Sequence, residues 1–439
     1  MQFNRWARPG SAGLVTGAVA VAVLGLAAPA LAAAGPVSTH PASGTPELAL
    51  TGTVEQVRQL VQCGGTMYAV GSFTSIKQGS TIFSRNNAFS FSATSPYKVT
   101  SWNPNVNGKV NTVAFNGTGC NNAYLGGKFS SVHGTRVSNI AEVSTSTGAV
   151  NTAFAHNANG QVETMLVAHG HLLTGGYFTS LNGSGNRYMV SLSPTTGKDD
   201  GYVHLNISGN YTTGQATRGF NQQLSHSGSL DLVEGVFTSV GGQARKQIFM
   251  LSLGTGSATV TGWTSKEFNG ACVNGESFYV KAASWSPDDG TVYIGTTGFH
   301  PLGGPTGATR RTGLCDAAAA FPASQSSVGH KWINYTGCDS LFSTAADTNT
   351  AYFGGHERWF NNPLDCDAAG PGAVSVPGMG GLSPSSGAIV WNPTRSRGLG
   401  ADDMLLTGAG LWIASDNAFG SSKCGGVGGH AGICFMPYG

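Results

Sequence analysis

The sequence predicts an all-β chain folded as a single seven-bladed β-propeller with four-stranded blades, and three observations predict it. A short strand-and-turn unit recurs seven times at nearly constant spacing. Glycine is abundant, at 66 of 439 residues, and charged residues are sparse, at 10% against roughly 25% in an ordinary soluble domain. Stretches of Gly, Ser, Thr and Asn separated by Val, Leu and aromatics give many turns and short strands. Finally, the residues before the first unit resemble the end of a unit, so the chain can close on itself.

The chain opens with features of an export signal. Arg5 and Arg8 precede an apolar run from Leu14 to Leu26, and Pro29-Ala30-Leu31-Ala32 supplies the small residues a signal peptidase reads. Residues 1–32 are therefore expected to be removed, and 33–46, rich in Ala, Gly, Pro, Ser and Thr, to form a flexible lead-in to a propeller spanning 47–439. The 23 basic residues include Arg5 and Arg8, so the rest of the chain carries 21 basic residues against 21 acidic ones. With no basic stripe, nucleic acid is excluded as a partner. No second long apolar run follows, so the exported chain is expected to be soluble and extracellular, without a membrane span.

The repeat unit is an aromatic or aliphatic pair, two small residues, a variable residue and often Phe. It appears at Tyr68-Ala69-Val70-Gly71-Ser72-Phe73, Tyr124-Leu125-Gly126-Gly127-Lys128-Phe129 and Leu173-Thr174-Gly175-Gly176-Tyr177-Phe178. Looser copies end at Phe237, Thr297, His356 and Asp416. Measured at Gly71, Gly127, Gly176, Gly235, Thr296, Gly355 and Ser415, the steps are 56, 49, 59, 61, 59 and 60 residues. Thr147-Gly148, Thr196-Gly197 and Ser386-Gly387 are placed to join the third and fourth strands of a blade. An aromatic follows on the fourth strand at Trp102, Phe154, Trp263, Trp332 and Trp391. The glycines of the second strand are expected to let backbones approach near the axis. Thr45-Pro46 before Gly52-Thr53-Val54 parallels Asn103-Pro104 before Gly108-Lys109-Val110, while the last copy has room for three strands. The N-terminal segment is therefore expected to complete the seventh blade and remove an open sheet edge.

On these residues, with Arg136, Asn139-Ile140-Ala141, Thr147-Gly148 and Phe154 in the second copy, the chain resembles the delta-sixty repeat propellers of bacterial secreted proteins. The resemblance covers nearly all of the chain after the signal and is clearest in the first three copies. It implies a propeller and supplies no catalytic residue.

Eight cysteines in an exported chain suit disulfides. Cys63 with Cys120, Cys272 with Cys315, Cys338 with Cys366 and Cys424 with Cys434 are the expected pairs, each joining neighbouring or irregular copies. The variable residues Ser72, Lys128, Tyr177, Val236, Thr297, His356 and Asp416 are expected to ring one mouth of the channel. Their mixed polarity suits a sugar or peptide better than a polyanion. Lys128, Tyr177 and Asp416 are the candidate ligand-binding residues of this ring. They are joined by His356-Glu357-Arg358-Trp359, where three polar groups and an indole replace the usual Phe-Thr-Ser. His-Glu-x-x-His is not completed, since residue 360 is Phe. Asn361, Asp365 and Asp367 read as a turn rather than a calcium loop. Asp288-Asp289 reads as a turn, and Asp199-Asp200 and Asp402-Asp403 as structural, because adjacent strand residues face opposite ways. No metal and no cofactor is expected. The function expected is a secreted, non-catalytic binding or scaffold propeller whose partner is a glycan or a secreted protein. The alternatives are a polysaccharide hydrolase or lyase and a component of a surface assembly.

Overall fold

Short apolar runs bounded by Gly, Asn and Ser leave room for strands and little else. The computed structural model describes residues 35–439 apart from 118, 212–214, 273–277, 299–312, 367, 394–399, 419–422 and 425–429, with 423 and 424 described by backbone alone. Among the described residues the only helical element is a short 3-10 turn, Lys266–Asn269. No described helix is long and apolar enough to cross a membrane.

Among the described residues, seven antiparallel sheets of three or four strands that each open on a long first strand follow one another along the chain, and two further three-stranded sheets, Glu47–Leu48 with Ser75–Gln78 and Thr81–Ser84, and Ile207–Ser208 with Ser239–Val240 and Gln243–Ala244, lie beside them in sequence. The first strands of the seven are Gln56–Cys63, Lys109–Phe115, Val162–Ala168, Arg218–Leu224, Tyr279–Trp285, Leu341–Ala346 and Asp403–Thr407. Each pairs with a second strand that carries the repeat unit, such as Asn122–Lys128 or Ala351–Gly355, and that strand pairs with a third. The fourth, fifth and sixth sheets add a fourth strand at Ala258–Val260, Trp332–Tyr335 and Ile389–Trp391. In the first three sheets the expected fourth strand shrinks to one bridge: Phe91 with Val99, Val143 with Val150, and Leu192 with Asp199. The outer edge of these sheets is therefore very short, which resists pairing with another chain.

Each first strand lies beside the first strand of the next sheet, and Asp403–Thr407 lies beside Gln56–Cys63. Apolar side chains fill the spaces between neighbouring sheets. Leu232, Met250 and Trp263 of the fourth meet Val280, Val292 and Ile294 of the fifth. Leu60, Phe89 and Phe91 of the first meet Trp412, Ile433 and Phe435 of the seventh.

The recurrent aromatic of the fourth segment ties one sheet to the next. The indole N–H groups of Trp102, Trp263 and Trp332 donate to Ser144 O, Pro322 O and Pro384 O at 3.0, 3.0 and 2.9 Å. Each of these carbonyls lies at the end of the following sheet's third strand. Trp391 donates instead to Ser38 O at 3.2 Å.

That last contact belongs to a segment expected to be a flexible lead-in. In its described part the segment is held in place. Ser38 N donates to Pro437 O at 2.7 Å and Ala42 N to Phe435 O at 2.8 Å, both on the third strand of the seventh sheet. Val37 is buried and its N–H donates to the Tyr352 hydroxyl at 3.0 Å. These contacts run along the edge of the seventh sheet that the N-terminal segment was expected to complete.

Three disulfides join Cys63 to Cys120, Cys272 to Cys315, and Cys338 to Cys366. The Cys424 side chain lies outside the described residues, so the expected fourth pair does too.

Candidate binding channel

The first strands carry a break in their alternation that the sequence reading passed over. Pairing with the second strand slips by one residue between Val57 and Gln59, Val110 and Thr112, Val162 and Thr164, Gly219 and Asn221, Val280 and Ala282, and Leu341 and Ser343. Each slip is a β-bulge, which leaves one residue unpaired and re-aims its side chain. In the seventh sheet Asp402 N and the pairing of Asp403 both meet Ala414, the same two-against-one arrangement.

The second-strand glycines answer to these bulges. A Cβ on Gly71, Gly127, Gly176, Gly235 or Gly355 would collide with the carbonyl oxygen of Gln56, Lys109, Gln161, Arg218 or Ser340, two residues before the bulged position. The close approach expected near an axis is therefore within each sheet.

The seven re-aimed side chains are Arg58, Asn111, Glu163, Phe220, Lys281, Phe342 and Asp402. All seven line one cavity of about 170 Å³, to which every first strand contributes. Its charged lining in sheet order is Arg58, Glu163, Arg218, Lys281, Asp402 and Asp403. Glu163 is held by amides, its oxygens accepting from Asn111 Nδ2 at 3.0 Å and Gln161 Nε2 at 2.8 Å. Arg58 donates to Gln56 Oε1 at 2.8 Å. Phe220 lies between two cations, with Arg218 Cζ 5.4 Å and Lys281 Nζ 4.8 Å from its ring centre. Lys281 is walled by protein yet its side chain stays accessible from the cavity. Burial pushes its ammonium below the usual lysine range. Glu163 and Asp402 oppose that shift, and Arg218 and Arg58 add to it. Burial is also the main force lowering Lys109, with Arg58 next. Asp403, which also lines the cavity, is pushed up to about 6 by burial, although Leu60 N–H donates to its Oδ2 at 2.8 Å.

The structure divides the residues singled out from sequence. Lys128 pairs with Lys109 at the start of the second sheet's first strand. Tyr177 N–H donates to Gln161 O, and its ring lies 4.7 Å from Arg218 Cζ. His356 meets the Phe342 ring edge-on at 5.1 Å. These three sit at the strand starts that lead into the cavity. Asp416 does not join them. It is buried, and its oxygens accept from Gly400 N at 3.0 Å and Ala418 N at 2.6 Å.

Nor does His356-Glu357-Arg358-Trp359 present one face. Glu357 is buried. Arg358 forks onto Asp339 through Nε at 2.7 Å and Nη2 at 3.1 Å, and its guanidinium covers the Trp359 ring at 4.4 Å. Trp359–Phe360 forms a small ribbon with Val374–Ser375. A buried carboxylate so placed captures the guanidinium that the sequence left available for a ligand.

The remaining carboxylate doublets also separate. Asp288 closes its own turn through Ser286 and Gly290, and Asp289 accepts from His226 and Ser227 of the preceding sheet. Asp199 accepts from Ser184 and Asn186, and Asp200 from His171. Asp402 and Asp403 instead both line the cavity. Asp365 Oδ1 accepts from Cys366 N, and Asp367 lies outside the described residues. Among the described residues no group of three or more His, Cys, Asp or Glu is placed to hold a metal.

Comparison with known proteins gives fold and no more. No family model and no curated protein matches the chain. Among solved structures, U3-55K shares 9% identity over 90% of this chain and 99% of its own, with a TM-score of 0.50. The fold is propeller-like. The extracellular domain of BT4673 from B. thetaiotaomicron is 9% identical, with a TM-score of 0.48, over 90% of this chain and 40% of that one. The RRP9 WD40 repeats are 10% identical, with a TM-score of 0.46, over 91% and 98%. Identities this low say nothing of ligand or activity.

Proposed function

We propose that the chain is a secreted, seven-bladed binding propeller of the delta-sixty type whose recognition site is its central channel. The blade count and closure are supported by the seven sheets, by the contact between the first strands of the seventh and first, and by residues 38–42 along the last strand. Secretion is supported by the signal-like segment 1–32 and by three disulfides, which persist in oxidising compartments. The observation that carries the binding role is the ring of bulge side chains turned into one cavity. Bulges concentrate where a side chain must be re-aimed, and a concave site with a few convergent polar groups is the usual form of a ligand pocket.

The test is retention of the secreted chain on insoluble cell wall and a polysaccharide panel, with release of sugar followed in each supernatant. Arg58→Ala with Lys281→Ala should lose binding, while Arg358→Ala with Trp359→Ala should keep it. The reverse result would move recognition to the Trp359 ribbon and overturn the channel assignment. A hydrolase or lyase is the second reading, favoured by Glu163 and Asp402 facing one cavity. Sugar release that stops on Glu163→Gln would put it first.

A further inference from the structure

We infer that the channel takes a small zwitterion, of the size of an amino acid or dipeptide, holding its carboxylate toward Lys281 and Arg58 and its ammonium toward Glu163 and Asp402. The inference rests on the channel being the recognition site. Size comes first. The cavity of about 170 Å³ is below the ~300–1,000 Å³ of pockets for drug-sized ligands and close to the ~150 Å³ that accommodates one benzene ring in a well-studied engineered protein cavity. A compact molecule or the end of a chain fits a space of this size.

Charge then narrows the class. Arg58, Arg218 and Lys281 stand among Glu163, Asp402 and Asp403 around the cavity, so both signs line it, with Asn111, Phe220 and Phe342 between them. A simple anion beside Lys281 also lies in the field of Glu163 and Asp402, both of which act on Lys281 itself. A simple cation beside Glu163 meets Arg58, Arg218 and Lys281 in the same way. Only a ligand carrying both signs can place each charge next to its opposite and away from its like, and repulsion of the wrong partner is what creates selectivity. Glu163 is held in position by two amides, Asn111 and Gln161. Phe220 and Phe342 supply apolar faces for the ligand's carbon atoms.

The experiment is calorimetric titration at low salt of the secreted chain with alanyl-alanine. The same dipeptide acetylated at its amine, the same dipeptide amidated at its carboxylate, a neutral disaccharide and glucuronate complete the panel. Each cap should weaken binding about tenfold or more. Glu163→Gln should erase the difference between free and acetylated dipeptide, and Lys281→Gln the difference between free and amidated dipeptide. Lys281→Arg should restore the second preference, and melting curves would establish that each variant is folded. Capped dipeptides that bind as well as the free one would overturn the inference, as would no dipeptide binding at millimolar concentration. Tighter binding of disaccharide or glucuronate that is weakened by Lys281→Gln would also overturn it, while leaving the channel as the recognition site. Dipeptide binding unchanged in both charge variants would remove the channel assignment as well.

Discussion

Glu234 shows how far burial governs single residues here. It is fully enclosed, accepts from Asn221 Nδ2 at 3.2 Å, and is pushed up to about 7, chiefly by burial, with Asn221 and Lys281 pulling the other way. A carboxyl whose folded pKa lies above its unfolded value favours the fold when protonated. That contribution is whole below the unfolded pKa of about 4.3 and is lost as pH rises through about 7. The thermal midpoint is therefore expected to fall between about pH 5 and pH 8, and Glu234→Gln to flatten that slope. The scale is on the order of 4 kcal/mol at most, given about 1.4 kcal/mol per pKa unit. A variant whose midpoint falls as steeply as the parent's would show that another group sets the slope. Asp231, also raised by burial, is the first to try next. A second residue-scale expectation concerns Trp332. Phe keeps most of the ring but loses the hydrogen bond to Pro384 O, at a cost of about 1 kcal/mol, whereas Ala also empties the space between sheets, at about 3–5 kcal/mol. Urea midpoints of the two variants would separate these costs.

At the scale of the element, the bulge and its facing glycine act as a unit. Gly127→Ala drives a Cβ into the Lys109 carbonyl, and overpacking of this kind costs about 1–3 kcal/mol. Because the collision lies beside the bulge that aims Asn111, the same variant should weaken ligand binding in the channel. Gly65→Ala, where nothing lies within 4 Å, should change neither the melting point nor binding. Equal effects of the two substitutions would sink the link between glycine and bulge. Disulfides act between and within elements. Cys63–Cys120 ties the first sheet to the second, while Cys272–Cys315 and Cys338–Cys366 secure the irregular fifth and sixth copies. Under reductant, amide exchange should rise most between residues 272 and 366, where two of the three bridges hold long connections. A uniform rise along the chain would show that the bridges act on global stability instead.

For the whole molecule, the N-terminal segment decides how the last sheet ends. Ser38 and Ala42 cover the strand Ile433–Pro437, and Val37 reaches Tyr352 of the sixth sheet. Removing residues 33–46 should uncover that edge and promote association, because an open strand edge pairs with other chains. Size-exclusion chromatography of the shortened chain would show oligomers; a stable monomer would mean that the edge is protected otherwise.

What the sequence by itself determined is the all-β, repeated architecture. Glycine spacing, turn dipeptides and the recurrent outer aromatic are local in the chain, and each keeps phase with the next copy. The pairing partners of six cysteines were legible for the same reason, since each pair falls at matching or flanking positions of copies. The channel was not legible. Arg58, Asn111, Glu163, Phe220, Lys281, Phe342 and Asp402 share no residue type, and each follows an apolar residue or glycine at the start of a strand where alternation assigns it no special direction. A signal was present in that broken alternation, but its meaning depends on pairing with a second strand. Likewise Arg358 looked available until tertiary folding set the buried Asp339 beside it, and residues 37–46 looked loose until the last strand of the chain lay against them. Repetition along the chain is written locally. Which side chains meet is decided by seven strands brought together from sequence positions up to about 345 residues apart.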